Sequence, residues 1–514
     1  MGKLIGRLSL VSSLTLLSRL LGLARDILFF GCFGASLVGE AFILAFTFPN
    51  LFRRMLGEGT LSSAFIPVFA ETIKVKSKEK AFNLLNQVTS RLVVFLGVGS
   101  LLICLLSYLA SISWVFDDAK WNEGAFLNSI SFGYVMFICV SAILVGALNS
   151  TGRFFEGAFS PVILNVCMIS AMIGGKFFFD LSLSELAVFL CLSVLLAGTM
   201  QLALPWMKLQ SSVGWKWRMT FSGSEEMDQI KALFWVGALG AAVGQINILV
   251  SRFFAYSLDE SGGLSYLFLS SRLVELPLGV FAIAITTVLF PEMAKAVSAG
   301  EKGKFVDSIC RGVRLTAAIT IPAAAGLAFL AEPILTALFQ WGEFGSEEVK
   351  DASGILLIAS IGLPFYAIST FLVKVYHSKK RMNLPLQAAI ISLLANLTFS
   401  ILFIGEYQVH GLAWANVLAA VMQTAYLAFR LEEIPIHTFF FNKPLQIPSV
   451  LLSAGFMSGI LWFLNQSILV SLTKFGSMLH LLIAIPAAIF VFGASLFFLG
   501  FPELRAVLKN FFCK

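Results

Sequence analysis

Four of the five arginines in the first sixty residues lie in or directly beside strongly apolar runs: Arg19, Arg25, Arg53 and Arg54. A guanidinium keeps its charge at any accessible pH, and at the centre of a bilayer each one costs about 3 kcal/mol. Arginines are therefore kept at such positions where they face water, a partner or an anion. Because guanidinium groups form bidentate pairs with phosphate-like oxygens, several of them together suit a multiply charged anion.

The first predicted helix carries a polar stripe. At about 100° per residue, one narrow face collects Ser12, Thr15, Arg19, Gly22 and Asp26. A polar stripe on a membrane helix faces the protein interior or a water-filled cavity, so the pattern predicts a cavity wall. Arg25 flanks the stripe, and its alternative interpretation is a simple pair with Asp26 near the outer surface.

The second predicted span is interrupted by helix-breaking residues. Pro49, Gly57 and Gly59 divide it, and we expect them to act as hinges. Arg54 and Glu58 are four residues apart and are expected to pair on one face. Irregular backbone at membrane depth is tolerated only beside a cavity or buried in protein, so this span is also predicted to line a cavity.

A further embedded cation, Arg272, lies far along the chain. Glu275, three residues later, is expected to hold its guanidinium, and Pro277 is a fourth candidate hinge. The alternative is a purely structural ion pair. The other embedded polar residues are neutral, and we interpret them as interhelical hydrogen-bonding groups rather than ligands; they are Asn149, Asn165, Gln245, Asn247, Asn396, Asn416 and Gln423.

Composition places the chain in a membrane. Of its 514 residues 58% are hydrophobic and 13% charged, with a mean hydropathy of +0.89, whereas soluble domains have about 25% charged residues. The seven cysteines form no CxxC pair and the four histidines lack metal-ligand spacing, so we predict neither a metal nor a cofactor. Neither a Walker A loop nor a catalytic constellation stands out, so we predict that the protein is not an enzyme.

The predicted fold class is an all-α integral membrane protein. About fourteen apolar segments recur, separated by short polar loops. These loops alternate between basic and acidic, which predicts both termini in the cytoplasm. The net charge of +7 is explained by this topology and by anionic lipid, and gives no reason to expect nucleic acid as a partner. The step Ser18-Arg19, with Asp26 beyond it, recurs as Ser251-Arg252 with Asp259, which suggests two repeated halves.

Several longer motifs resemble the MurJ (MviN) lipid II flippase family. They begin with Ser18-Arg-Leu-Leu-Gly-Leu-Ala-Arg-Asp26, Phe48-Pro-Asn-Leu-Phe-Arg-Arg54 and Ala64-Phe-Ile-Pro-Val-Phe-Ala-Glu71. Further on come Gly146-Ala-Leu-Asn-Ser-Thr-Gly-Arg-Phe154 and Ser271-Arg-Leu-Val-Glu-Leu-Pro-Leu-Gly279. The resemblance runs along the whole chain and extends to the multidrug/oligosaccharidyl-lipid/polysaccharide exporter superfamily.

This resemblance implies two six-helix lobes around a central cavity, with two further helices forming a groove for a lipid tail. The expected boundaries are 1–220, 221–435 and 436–514. It implies translocation of the undecaprenyl-diphosphate-linked peptidoglycan precursor, lipid II, to the outer leaflet of the bacterial inner membrane by alternating access. The family's binding residues carry over to Arg19, Arg25, Arg53 and Arg272. Its acidic positions carry over to Glu40 and Glu58, for which the resemblance implies a gating or ion-pair role.

The sequence departs from the family at two places. Ser271 stands where many members have an aspartate, and the eleventh predicted span, about 383–405, contains no acid before Glu406. Coupling to sodium through carboxylates there is therefore in doubt, and coupling to a monovalent cation or the membrane potential stays open. We expect lipid II and membrane lipids as partners of a monomer. The alternatives are a flippase for another polyprenyl-diphosphate glycan, a multidrug antiporter of the same fold and a membrane glycosyltransferase.

Overall fold

A computed structural model describes residues 2–113, 118–432, 446–467 and 473–505. For residues 2–8, 56–59, 236, 237, 239, 241, 283 and 467 the description covers the backbone alone. Two compact units divide the chain. The first contains residues 1–249 with the short turn Gly342–Phe344, and the second contains Val250–Trp341 and the chain from Gly345 onward.

The first unit is built from long helices joined by short connections. They are α1 (Gly2–Phe33), α2 (Leu37–Phe52), α3 (Leu61–Glu71), α4 (Lys78–Ile112), α5 (Ala119–Ser131), α6 (Tyr134–Ser150), α7 (Phe155–Ile173), α8 (Leu183–Val213) and most of α9 (Glu225–Tyr256). Side-chain caps begin several of them: Ser36 accepts from Gly39 N, Ser77 from Lys80 N and Asp118 from Lys120 N.

The connection between α2 and α3 is helical rather than broken. Residues Arg53–Thr60 form a π-helix that joins the two α-helices, so the predicted interruption is wrong as a break in the backbone. The wider turn keeps backbone groups bonded along the chain, as apolar surroundings demand. Thr60 Oγ1 donates to the Met55 carbonyl oxygen at 2.9 Å, which gives that carbonyl a side-chain hydrogen bond within the π-helical segment.

Pro49 frees one carbonyl group inside α2. A proline has no backbone N–H, so the carbonyl of Ala45, four residues earlier, loses its helical donor. Ser131 Oγ on α5 lies 3.5 Å from that oxygen and points a donor at it. The helix therefore continues through Pro49, with its missing bond replaced from a neighbouring helix.

The short turn Gly342–Phe344 packs on the end of α1 through backbone atoms. Glu343 N donates to the Gly31 carbonyl at 2.9 Å. Gly342 has a φ of +60°, and a Cβ there would overlap the Gly31 carbonyl oxygen, so only glycine fits. Lys176 Nζ lies 3.2 Å from the Glu343 carboxylate and adds an ion pair to the same contact.

An apolar core in the first unit includes residues from the start of α9. Leu61, Phe65, Leu85 and Leu144 are among the buried residues that pack around Trp215. Trp215 Nε1 donates to Asn86 Oδ1 at 2.9 Å, so the buried indole is satisfied.

An ion pair ties the first residues of α9 to the end of the α2–α3 helix. Lys76 Nζ donates to Glu226 Oε1 at 2.6 Å. This bond raises the pKa of Lys76 and lowers the pKa of Glu226. The pair is therefore intact at every pH between the two ordinary values of 4.5 and 10.5.

The second unit contains the remaining helices. They are the end of α9, α10 (Gly263–Pro277), α11 (Ile283–Ser298), α12 (Lys302–Phe329), α13 (Ala331–Phe339), α14 (Ser346–Ser378), α15 (Asn383–Phe429), α16 (Ile447–Ser467) and α17 (Lys474–Phe498). Pro277 ends α10, and a π-helical segment, Leu278–Ala282, leads into α11. Inside α15, Gln408 has a non-helical backbone (φ 45°), which separates the two predicted segments on either side of it.

The C-terminal helices α16 and α17 are bonded to α12. Asn465 Nδ2 donates to the Phe329 carbonyl at 2.8 Å, and His480 Nε2 lies 2.8 Å from Asn465 Oδ1. At the other end, Arg314 Nε donates to both carboxylate oxygens of Glu503 at 3.0 Å. Whether these helices form a lipid-tail groove stays a prediction.

The all-helical membrane class is confirmed. Every regular element in the described ranges is helical, and ten stretches there are long and apolar enough to cross a membrane. The count of fourteen spans, the two-lobe arrangement and the three domain boundaries stay predictions.

Candidate functional site

Arg25, Asp26 and Asn165 form a polar cluster in the first unit. Arg25 Nη2 donates to Asp26 Oδ1 at 2.6 Å, and Arg25 Nη1 donates to Asn165 Oδ1 at 3.0 Å. Asn165 Nδ2 in turn donates to the Ser18 carbonyl, which joins α7 to α1. The predicted interhelical role of Asn165 is confirmed. Arg25 and Asp26 do pair, and their side chains are only 12% exposed, so the guanidinium is held in a fixed position.

Arg19 lies on the more exposed part of α1. The exposure of the polar stripe on α1 decreases along the helix. Ser12, Thr15 and Arg19 are exposed, whereas Asp26 is buried. Thr15 Oγ1 donates to the Val11 carbonyl and is occupied within its own helix. The proposal of a cavity wall thus depends on Arg19, whose guanidinium is accessible in the first unit.

Glu40 and Lys120 form a buried ion pair. Glu40, on α2, is 0% exposed, and Lys120 Nζ, from α5, lies 2.9 Å from its Oε2. The sequence predicted Glu40 as a gating or ion-pair residue, but it did not indicate Lys120. Because separating two buried opposite charges is costly, this pair holds α2 against α5.

Arg53 lies where the helix becomes π-helical. Its Nε donates to Asn50 Oδ1, one turn earlier, at 3.0 Å. The guanidinium is partly exposed and directed by that amide. The predicted Arg54–Glu58 pair lies outside the described residues, because the description at Gly57, Glu58 and Gly59 covers only the backbone.

In the second unit, two arginines flank one aromatic ring. The Cζ of Arg272 lies 4.8 Å from the centroid of the Phe268 ring, and the Cζ of Arg252 lies 5.2 Å from the same centroid. Arg272 Nη1 also donates to Glu275 Oε2 at 3.2 Å, which confirms the predicted pair. The aromatic ring therefore attracts both guanidinium groups by cation–π interaction and brings two positive charges to one ring.

A neutral hydrogen-bonded network adjoins Arg252 on α9. Asn396 Nδ2 donates to Ser251 Oγ at 2.7 Å, and Ser251 Oγ donates to Asn416 Oδ1 at 2.9 Å. Ser400 Oγ donates to Asn396 Oδ1 at 3.3 Å. The predicted interhelical roles of Asn396 and Asn416 are confirmed. The three bonds join neutral amides and hydroxyl groups.

The two units repeat the same local arrangement. In the first, an asparagine of α7 bonds the residue before Arg19; in the second, Asn396 bonds the residue before Arg252. The repeated Ser-Arg step in the sequence was the signal for Arg252. The contact of the Phe268 ring with both Arg252 and Arg272 depends on how α9 packs on α10, which the sequence does not indicate. Arg252 is therefore a candidate residue of the site that the sequence analysis did not single out.

The fold is similar to that of a known class of membrane transporter. It is similar to a multidrug-resistance MATE family transporter of the MOP superfamily in its inward-facing conformation, with a TM-score of 0.66 at 14% identity. That match covers 84% of this chain and 99% of the transporter. At this identity the likeness defines the fold alone.

Relatives by sequence are more specific. The profile of the family described as lipid II flippase MurJ matches residues 31–485. A probable lipid II flippase MurJ of Haemophilus influenzae is 31% identical over 97% of this chain and 100% of its own length. One from Bdellovibrio bacteriovorus is 33% identical over 81% of this chain and 80% of its own. A solved lipid II flippase MurJ in an inward closed conformation matches with a TM-score of 0.77 and 26% identity, covering 95% of this chain and 98% of that one.

The chain therefore belongs to the lipid II flippase MurJ family. This membership and the apolar helices make it a multi-pass protein of the bacterial inner membrane.

Proposed function

We propose that this protein flips lipid II across the bacterial inner membrane. The observation that carries the proposal is the family match over residues 31–485 of the chain. The chemistry of the residues supports it. The substrate's diphosphate is the part that hydrocarbon excludes, and permanent cations are the groups that replace its hydration.

We assign the diphosphate-binding role to Arg19, Arg25, Arg53 and Arg272, and we add Arg252. In the first unit, Asp26 and Asn165 orient Arg25, and Asn50 orients Arg53. In the second unit, Phe268 holds Arg272 and Arg252. Guanidinium groups fixed in this way lose little freedom when they bind a phosphate, which favours affinity.

We further propose that flipping proceeds by alternating access with both termini in the cytoplasm, and that a monomer suffices. The π-helical segments at Arg53–Thr60 and Leu278–Ala282 support bending at the predicted hinges Pro49, Gly57, Gly59 and Pro277, because such segments are weak points in otherwise regular helices. The Arg272–Glu275 pair, with a carboxylate that is 48% exposed, is a contact that an incoming phosphate can replace.

Flipping by the purified protein tests the proposal. In proteoliposomes containing labelled lipid II, we expect translocation well above that of empty vesicles, measured by accessibility of the label to an impermeant reagent. The side chains bonded to Ser251 are neutral amides, and the eleventh predicted span contains no acid before Glu406. Replacing sodium by choline should therefore leave the rate unchanged. Translocation no faster than in empty vesicles would contradict the proposal. Equal flipping of a polyprenyl diphosphate with another glycan would favour the broader alternative.

Arg252→Gln is expected to weaken lipid II binding about tenfold or more, because a charge-assisted hydrogen bond contributes about 1.5–3 kcal/mol. Arg252→Lys should retain part of the affinity, since it keeps the charge and loses the fork. The measurement is binding of lipid II to the purified variants at two salt concentrations.

The matched control for this prediction is Arg311→Gln on α12, whose side chain is exposed. It removes one positive charge from the second unit away from Phe268 and should bind as the wild type does. Equal affinity of the Arg252→Gln variant and the wild type would remove Arg252 from the site.

A further inference from the structure

The connection between α8 and α9, residues 214–224, forms a non-helical strap that is bonded to α4. Asn86 Nδ2 donates to the Lys216 carbonyl at 3.3 Å, and Arg91 Nη2 donates to the Phe221 carbonyl at 2.7 Å. Both bonds hold the backbone of the strap rather than its side chains. The strap is therefore fixed at a defined height along α4.

The surface of α4 indicates where that height lies in a membrane. The exposed large apolar side chains of this helix begin at Val94 and end at Ile112. At 1.5 Å per residue this stretch is about 28 Å long, close to the thickness of a hydrocarbon core, about 30 Å. Arg91 lies one turn before Val94, so the strap that it holds lies at the depth of the lipid headgroups.

Two apolar side chains of the strap are exposed at this depth. Met219 is 58% exposed and Phe221 is 53% exposed. The basic residues Lys216 and Arg218 come just before them and are also exposed. Bulky apolar groups next to cations are typical of segments that lie in a membrane interface, with the apolar groups among the upper acyl chains and the cations near phosphates.

The charge of the strap favours an anionic lipid over a neutral one. Residues 214–224 contain two cations and no acid. The first acids beyond the strap, Glu225 and Glu226, are directed to Lys76 Nζ, at 3.7 Å and 2.6 Å. The strap therefore keeps its own positive charge. An anionic phospholipid offers both the negative phosphate and the acyl chains that match this surface.

We propose that the strap binds an anionic phospholipid of the phosphatidylglycerol type, in the leaflet on the side of the basic loops. Lys216 and Arg218 bind the lipid phosphate, and Met219 and Phe221 lie among the first carbons of the acyl chains. Because α4 already fixes the backbone of the strap, little freedom is lost on binding. The site shares no residue with the arginine clusters and does not depend on the proposed transport function.

Photo-cross-linking in nanodiscs tests this proposal at the strap itself. The purified full-length protein is placed in phosphatidylcholine nanodiscs with a trace of phosphatidylglycerol or phosphatidylcholine, each carrying the same diazirine-labelled acyl chain. Cross-links to the peptide that contains residues 214–224 are measured by mass spectrometry. The anionic probe should label this peptide at least tenfold more than the neutral probe, because each cation near the membrane surface favours anionic lipid several-fold.

A charge variant and a matched control locate the preference. Lys216→Gln combined with Arg218→Gln should reduce labelling by the anionic probe to the level of the neutral probe. Lys295→Gln combined with Lys302→Gln removes two exposed cations from the second unit and should leave the labelling unchanged. Equal labelling of the wild type by the two probes, or an equal loss in both variants, would overturn the proposal.

The apolar half of the site is tested separately. Met219→Ser combined with Phe221→Ser should reduce labelling by both probes and keep the preference for the anionic one. Excess glycerol 3-phosphate, a soluble anion without acyl chains, should not reduce labelling of the wild type. Unchanged labelling in the serine variant, or full competition by glycerol 3-phosphate, would show a phosphate site at the strap and refute lipid binding.

Discussion

Arg272→Ala should abolish rescue of a flippase-depleted strain while leaving the protein folded and in the membrane. Its ion pair with Glu275, which is 48% exposed, contributes at most about 1 kcal/mol to stability. A bidentate contact with phosphate contributes more to substrate binding, about 1.5–3 kcal/mol or above per charged bond. Arg272→Ala should therefore impair flipping much more than it impairs stability. Membrane abundance by immunoblot, together with growth after depletion, separates the two effects.

Two further variants sharpen this expectation. Arg272→Lys should rescue weakly, because an ammonium group keeps the charge without the planar fork. Arg311→Ala, at an exposed arginine of α12, should rescue fully. Full rescue by Arg272→Ala at normal expression would refute the diphosphate-binding role of the second unit.

Glu40→Ala should cause the largest loss of stability. It leaves the Lys120 ammonium buried without its partner, 2.9 Å away in the wild type, and breaking such a pair costs about 3–5 kcal/mol. We expect a marked fall in the midpoint of thermal unfolding in detergent, measured by loss of monodisperse protein after heating. The exposed pair of Glu301 and Lys304, at 3.0 Å, is a matched control, and Glu301→Ala should cost less than about 1 kcal/mol.

The double variant Glu40→Leu with Lys120→Met separates stability from function. Replacing both buried charges by apolar groups of similar size is often neutral or stabilising, so most of the lost stability should return. If flipping also returns, the pair has only a structural role and the predicted gating role of Glu40 is wrong. An unchanged unfolding midpoint in Glu40→Ala alone would show that the Lys120 ammonium can stay buried without Glu40 at no cost in stability.

The helices and their class were predictable because a membrane requires long apolar segments, and these are visible in composition. The pairs that are close in sequence were predictable for a similar reason: Arg25 and Asp26 are adjacent, and Arg272 and Glu275 are one turn apart. A spacing of three residues places Arg272 and Glu275 on the same face of their helix.

Other contacts depend on packing that spacing does not encode. Lys120 reaches Glu40 from another helix, 80 positions further along the chain. The ring of Phe268 lies beside both Arg252 and Arg272 only once α9 packs on α10. The helix breakers Pro49 and Gly57 predicted an irregularity at the right place but of the wrong kind, since a π-helix preserves backbone bonding that a break would lose.

The number of residues in the π-helical segment Arg53–Thr60 is itself constrained by the fold. In Arg53–Thr60 each widened turn holds more residues than a turn of α-helix, so α3 leaves the segment with a rotation set by how many residues it contains. Each residue of an α-helix turns the chain by about 100°. We expect deletion of one residue here to restore an ordinary α-helix. The start of α3 would then rotate and turn Leu61, Phe65 and Phe69 away from their core. Natural variation in this stretch is therefore expected as substitutions, with insertions and deletions selected against.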